Sequence, residues 1–433
     1  MMKTIKININ RLGAVRDSKI ELKPLMILSG ESGLGKSYVA ILVHYFYKLI
    51  AESRLQGFFD SEGWGFDTLL NHNSHEGSFT VSADKLLAWI NEDAKTYMRQ
   101  SVGNEELAVD VTFEIPFKKK EYVFRYSTVM FGIEGKEEKS FLFQLDKTSM
   151  RLGSENDVKS IGSLPWAMLL QDTLRQDLLG SNQINQTFTM VSGRGALLNL
   201  PITMQERIRG NGDIYTEFLN DWYVVRSISV RRRAESDLVS ILYDINGGKI
   251  ELDEHDRVVY RIDGETLIPI SAAASSIKEL APLYLLLDKY PAEELSILFE
   301  EPEAHLHPKK QVEIADFVVR AINKGTHMQI TTHSDYFLRR LNDRIFLHKI
   351  NAISPSAYKD TLTRYNYSDF TMNPSLIGAY LLRRENDGSV KVVSQELEKG
   401  IPYESFYDVI KKEAGHSLDI QQTYYKLQSS KDA

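Results

Sequence analysis

The segment Gly30-Glu31-Ser32-Gly33-Leu34-Gly35-Lys36-Ser37 has the spacing G-x-x-x-x-G-K-S. Residues of these types at this spacing can hold phosphate. The glycines let backbone amides close around phosphate oxygens, and the helix that follows adds a partial positive charge. Lys36 is placed to reach the β- and γ-phosphates of a nucleotide, and Ser37 to ligate Mg²⁺. A plain glycine turn would also use these glycines. Here, however, the buried-strand pattern Leu25-Met26-Ile27-Leu28 comes before the loop. An apolar helical pattern through Val39, Ile41, Leu42, Val43, Phe46 and Leu49 comes after it. Strand, loop and helix in that order are the context a phosphate loop requires, so ATP and Mg²⁺ are the expected ligands.

Three further clusters are read beside this loop. Ile297-Leu298-Phe299 is an apolar strand that ends in Glu300-Glu301-Pro302-Glu303. The first carboxylate, Glu300, suits a magnesium ion, and the second, Glu301, suits the orientation and deprotonation of an attacking water. On its own this segment reads as a solvated acidic loop. Next, His333 closes the strand pattern Gln329-Ile330-Thr331-Thr332 and is placed to touch a γ-phosphate. A lone histidine is more often structural. Finally, Ala274-Ser275-Ser276 opens a helix with small hydroxyl residues, which is also an ordinary cap. His305 and His307 invite a zinc reading, which the absence of cysteine disfavours.

Taken together these residues resemble the ABC-type ATPase head of the SMC, RecF and OLD-like proteins, over roughly residues 1–50 and 265–350. Gly30 to Ser37 looks like the Walker A loop, and Phe299 to Pro308 looks like Walker B running into the D-loop. Thr332-His333-Ser334 looks like the switch-histidine motif, and Ala274-Ser275-Ser276 like the signature motif. The resemblance implies that Ser275 acts in trans on the nucleotide of a second subunit. It therefore implies a head-to-tail dimer or a higher homo-oligomer. This chain departs from the pattern in two places: Glu300 stands for the usual aspartate, and Ser276 for the signature glycine. Gln144 is one candidate for the Q-loop glutamine. Long coiled coils are missing. After Lys349 roughly 80 residues remain, which is small for an added nuclease domain. The chain is thus similar to stand-alone ATPases of bacterial anti-phage systems such as AriA of PARIS and PtuA of Septu. The stretches Ser375–Leu381 and Gly400–Phe406 share their character. That implies an oligomeric sensor or scaffold controlling a partner effector, expected to be a nuclease encoded nearby. The competing readings are a RecF-like DNA-binding repair ATPase and a nucleotide-binding assembly protein with negligible turnover.

The elements that must position these groups lie far apart. Roughly 260 residues separate Lys36 from Glu300, more than one typical domain. The expected fold is therefore α/β, with an ATPase head built from residues 1–50 and 265–390 and split by an insertion. Within the insertion, residues 51–160 read as β-rich, with clean alternation at Val109–Ile115. Residues 161–247 read as a helical arm, with Trp166, Leu169, Leu170, Leu174 and Leu178 on one face and Phe218, Trp222, Val225 and Ile228 on another. A hairpin over 248–264 leads into the signature helix. An extension over 391–433 carries a helix near Ser405–Lys412.

Composition narrows the partners. The 433 residues contain 52 Lys+Arg against 59 Asp+Glu, a formal charge of −7. A surface that is basic throughout is excluded. Arg226 and Arg231–Arg233, with Arg207 and Arg209 upstream, could contact nucleic acid, but a solvated or protein-facing surface is favoured. Lys118–Lys120 reads as a turn. With no cysteine, disulfides and thiol chemistry are excluded. The longest apolar runs fall far short of the ~20 residues that cross a bilayer. The start alternates as a strand rather than a signal peptide, so a cytoplasmic location is expected.

Overall fold

The computed structural model describes residues 2–64, 76–133, 136–153, 161–180, 183–200, 204–205, 207, 212–227, 237–255, 257–262, 266–402 and 404–429. The chain opens on β1 (Lys6–Leu12), β2 (Val15–Glu21) and β3 (Leu25–Gly30), followed by α1 (Lys36–Ala51). β1 alternates, with Ile7, Ile9 and Leu12 buried, whereas every residue of β3 is buried. This is the pattern of a strand covered on both faces. Next come β4 (Glu76–Ser82), α2 (Ala83–Val102), β5 (Val109–Glu114), β6 (Glu121–Ile133), β7 (Lys136–Leu145) and β8 (Thr148–Leu152). Then follow α3 (Leu164–Leu174), β9 (Gln186–Met190), α4 (Ile214–Ser227) and α5 (Asp237–Asn246). β10 (Lys249–Leu252), β11 (Val258–Ile262) and β12 (Thr266–Pro269) lead into α6 (Ser275–Lys289). The remainder is β13 (Leu295–Glu300), α7 (Pro308–Asn323), β14 (His327–Thr331), α8 (Asp335–Ile353), α9 (Pro355–Tyr365), β15 (Ile377–Arg384), β16 (Val390–Ser394) and α10 (Glu404–Ser429).

Among the described residues nine strands form the main sheet, in the order β5-β1-β2-β16-β15-β3-β14-β13-β9. Strands β15, β3, β14, β13 and β9 run parallel to one another. β1 pairs antiparallel with both β2 and β5. The sheet is thus assembled from both ends of the chain, and the fold is α/β. Parallel order aligns the carboxyl ends of β3, β13 and β14, and loops at such ends are where open α/β sheets bind ligands. α1 covers β13 and β14 and is buried almost all round, including Val39, Leu42, Phe46 and Leu49.

The division of the insertion differs from the expectation. β5 joins the main sheet through β1, and β9 joins it through β13, so neither 51–160 nor 161–247 is a self-contained insertion. β16, expected at the start of an extension, lies inside the sheet between β15 and β2. Residues 83–102, expected as strands, form α2. Ser82 caps this helix by accepting from Lys85 N, and Leu86, Ile90, Ala94, Tyr97 and Met98 make its buried face. A separate four-stranded sheet, β4-β6-β7-β8, packs on α3 through Trp166, whose ring centroid lies 4.7 Å from Phe143. The faces expected on α3 and α4 are buried, except that Ile228 lies outside the described residues. α10 runs to Ser429, well beyond Lys412, and is exposed throughout Lys411–Lys426. Among the described residues no helix is long and apolar enough to cross a membrane.

Candidate nucleotide site

The loop from Gly30 to Ser37 sits at the carboxyl end of β3 and opens α1. Gly30 has φ +130°, and a Cβ there would lie 2.5 Å from Leu382 O of β15, so only glycine fits. Gly35 caps α1 in the left-handed region, at φ +88°. Leu34 is buried and anchors the loop in the core, while Glu31, Ser32 and Gly33 are exposed. The Lys36 ammonium folds back on its own loop, donating to Gly30 O at 3.1 Å and Glu31 O at 2.7 Å. Burial pulls its pKa down, against the opposing pull of Glu301, Glu303 and Glu300.

A cleft of about 380 Å³ opens over this loop. Its walls include Lys36, Ser37, Tyr38, Glu301, Thr331 and His333. The chain therefore brings Walker A, the second acid and the histidine to one cavity. The acids come from the end of β13. Glu301 N donates to Thr331 O at 3.0 Å, and Glu301 itself adopts φ +45°. That left-handed backbone is uncommon for a glutamate and turns the chain sharply after the strand. Glu300 is buried, and its Oε1 has no hydrogen-bond partner. The Ser37 hydroxyl lines the cleft and Glu300 does not, but the orphaned Glu300 oxygen and that hydroxyl are both hard oxygens of the kind Mg²⁺ takes.

His333 is held by a residue that the sequence reading leaves without a role. Glu303 Oε1 accepts the backbone N–H of His333 at 2.6 Å and the hydroxyl of Thr332 at 2.8 Å. Burial raises the Glu303 pKa. The His333 pKa is lowered, first by burial and then by Lys36, so the imidazole is neutral at neutral pH.

The turn after β9 is the second contribution missing from the sequence reading. Ser192 N donates to Glu300 Oε2 at 3.0 Å, and its hydroxyl donates to Glu301 Oε2 at 3.2 Å. Two residues on, Arg194 is fully buried and donates to Glu300 O at 2.7 Å. The one local signal was Ser192-Gly193-Arg194-Gly195 closing an apolar run, inside a region read as helical.

Other candidates fall elsewhere. Ser275 is exposed at the start of α6 and does not line the cleft of its own chain. Gln144 belongs to β7 in the four-stranded sheet, away from the cleft lining. His305 Nε2 lies 4.0 Å from Glu279, and His307 Nδ1 accepts from Lys309 N. Lys118 and Lys119 pair with Asp177 and Asp146. The Arg226 guanidinium lies 5.9 Å from the Trp222 ring centroid. Arg209 and Arg231–Arg233 lie outside the described residues.

A phosphate-loop motif, an acid-tipped strand and a histidine thus meet at the aligned ends of one parallel sheet. Residues 204–338, which hold α6, the acid loop and His333, match the family model of an AAA ATPase domain. No curated protein matches the chain. Among solved structures it is similar to an SMC head bound to the C-winged helix domain of ScpA, at 14% identity over 92% of this chain and 99% of that one, with TM-score 0.37. It is also similar to the SMC head domain from Thermotoga maritima, at 13% identity over 91% and 100%, with TM-score 0.33. A third is the Smc head with an extended coiled coil from Pyrococcus furiosus, bound to the C-terminal domain of ScpA, at 13% identity over 95% and 99%, with TM-score 0.36.

Proposed function

We propose that the chain binds ATP with Mg²⁺ in this cleft and hydrolyses it. The observation that carries the reading is the convergence of Lys36, Ser37, Glu301 and His333 on one cavity. The Lys36 ammonium exchanges its two loop carbonyls for the β- and γ-phosphates. Ser37 and Glu300 hold Mg²⁺, which neutralises phosphate charge when bound. Glu301, oriented by the Ser192 hydroxyl, aligns the attacking water and takes its proton. Neutral His333 donates to the γ-phosphate. Glu301→Gln is expected to keep ATP binding and to lose turnover by about 100-fold or more. Wild-type turnover in that variant would show that another group is the base.

The exposed position of Ser275, outside its own cleft, supports a head-to-tail dimer in which α6 faces the partner's nucleotide. ATP-dependent dimerisation of Glu301→Gln on a sizing column tests it. The likeness to stand-alone anti-phage ATPases supports control of a partner effector as the biological role. Stable co-purification with the product of an adjacent gene is the expected result. DNA-stimulated turnover that weakens steeply with salt would instead assign the chain to DNA repair.

A further inference from the structure

Arg194 is fully enclosed, at 0% exposure. Its contacts tie the turn after β9 to the acid loop and to α6. Nη1 donates to Val191 O at 3.1 Å and to Glu300 O at 2.7 Å. Nη2 lies 3.5 Å from Glu301 O. On the other side, Nε donates to Glu279 O of α6 at 2.8 Å and pairs with Glu279 Oε2 at 3.3 Å. Its guanidinium also sits 4.9 Å from the ring centroid of Phe299, in β13. One side chain therefore grips both the acid loop and the second turn of the helix that Ser275 opens.

The contact is built rather than incidental. Glu279 is 2% exposed, and its Oε1 also accepts Gly195 N at 3.2 Å. A Cβ on Gly195 would lie 2.7 Å from that oxygen, so the turn approaches α6 as closely as a glycine allows. Within α6, Pro282 has no N–H to offer the carbonyl one turn earlier. The carbonyl left free is that of Lys278, next to the Glu279 O that receives Arg194 Nε. A buried ion pair of this kind costs desolvation and adds little net stability. Its consequence here is geometric: α6 cannot shift without moving Arg194, and Arg194 holds the carbonyls of both acids.

We propose that Arg194 is a positioning residue that couples the exposed start of α6 to Glu301, so that engagement of Ser275 by the partner subunit's nucleotide sets the geometry of the acid loop. This rests on the ATPase reading given above, with Glu301 as base and Ser275 acting in trans. The test is a double-mutant cycle in the full-length protein, with MgATP turnover and KM measured for Ser275→Ala, Glu279→Gln and the pair. Glu279→Gln keeps the side-chain shape and removes the charge. It is expected to lower kcat by about tenfold while KM for ATP stays within about threefold. In the Glu279→Gln background, Ser275→Ala is expected to lose its effect on kcat, because both act through one link.

If the two effects multiply as independent factors, the coupling is overturned. It is equally overturned if Ser275→Ala alone turns over like wild type. Should Glu279→Gln fail to fold, Arg194→Lys, which keeps the charge but not the fork, takes its place in the cycle. Misfolding of both would assign the pair to stability alone and overturn the proposal. Glu301→Gln is run beside the cycle: wild-type turnover there sinks the ATPase reading itself. A dead Glu301→Gln with independent Ser275 and Glu279 effects sinks only the coupling.

Discussion

The carboxylate of Glu303 holds the backbone N–H of His333 at 2.6 Å. This bond joins the loop after β13 to the loop after β14 and fixes where the imidazole enters the cleft. Glu303→Ala removes the acceptor for both His333 N and the Thr332 hydroxyl. It is expected to lower kcat by about tenfold or more and to reduce ATP affinity much less, as steady-state kinetics with a binding titration would show. Equal losses in kcat and affinity would mean that Glu303 serves the loop as a whole.

Ser192 offers a finer test. Ser192→Ala keeps the backbone bond to Glu300 and deletes only the hydroxyl bond to Glu301. Turnover is expected to fall by about three- to tenfold with KM unchanged, matching the loss of one hydrogen bond of about 1 kcal/mol. An unchanged kcat would show that Glu301 is oriented without it.

Gly30 tests the packing behind the phosphate loop. Gly30→Ala places a methyl against Leu382 O at a backbone angle that alanine rarely adopts. The variant is expected to be destabilised by about 1–3 kcal/mol in denaturant melts and to lose ATP binding. Retention of both would mean that β15 yields at Leu382.

His44 predicts an acid-side loss of stability. It is fully buried in α1, with Nδ1 2.9 Å from Gln329 Oε1 and Nε2 3.3 Å from Thr189 Oγ1. Burial, reinforced by Lys48, pulls its pKa down to about 3. Below pH 6.5 the unfolded chain takes a proton that the folded chain refuses. Stability relative to His44→Asn should therefore fall as pH drops from 6.5 towards 3 and stay flat above 6.5. The limiting slope is about 1.4 kcal/mol per pH unit. Urea midpoints measured against pH would check it, and parallel curves for the two proteins would contradict it.

Much of the site is readable because its residues are contiguous. Gly30 to Ser37 and Glu300 to Glu303 each carry their chemistry in a few adjacent positions, flanked by strand patterns that hold in the fold. Ser192 and Arg194 are not readable in this way. Their partners Glu300, Glu301 and Glu279 lie far along the chain, and nothing local marks a serine or an arginine as facing them. The same limit governs the sheet. Val109, Val111 and Phe113 show that β5 is a strand, but not that its partner is β1. α2 is a different case, since its period through Leu86, Ile90 and Ala94 is present in the sequence. The alternating stretches on either side, β4 and β5, draw the whole region into one strand pattern.

The placement of β3 has a consequence for how the molecule comes into being. Its two neighbours in the sheet are β14 and β15, which follow it by about 300 and 350 residues. A ribosome has released the phosphate loop long before it makes either flanking strand. Until then β3 is a largely apolar segment with both edges bare, the kind of surface that attracts other chains. The nucleotide pocket is thus among the last features to mature, and contacts spanning so much chain close slowly. ATP cannot template the early steps of folding. It can only lock a head whose final strands have already arrived.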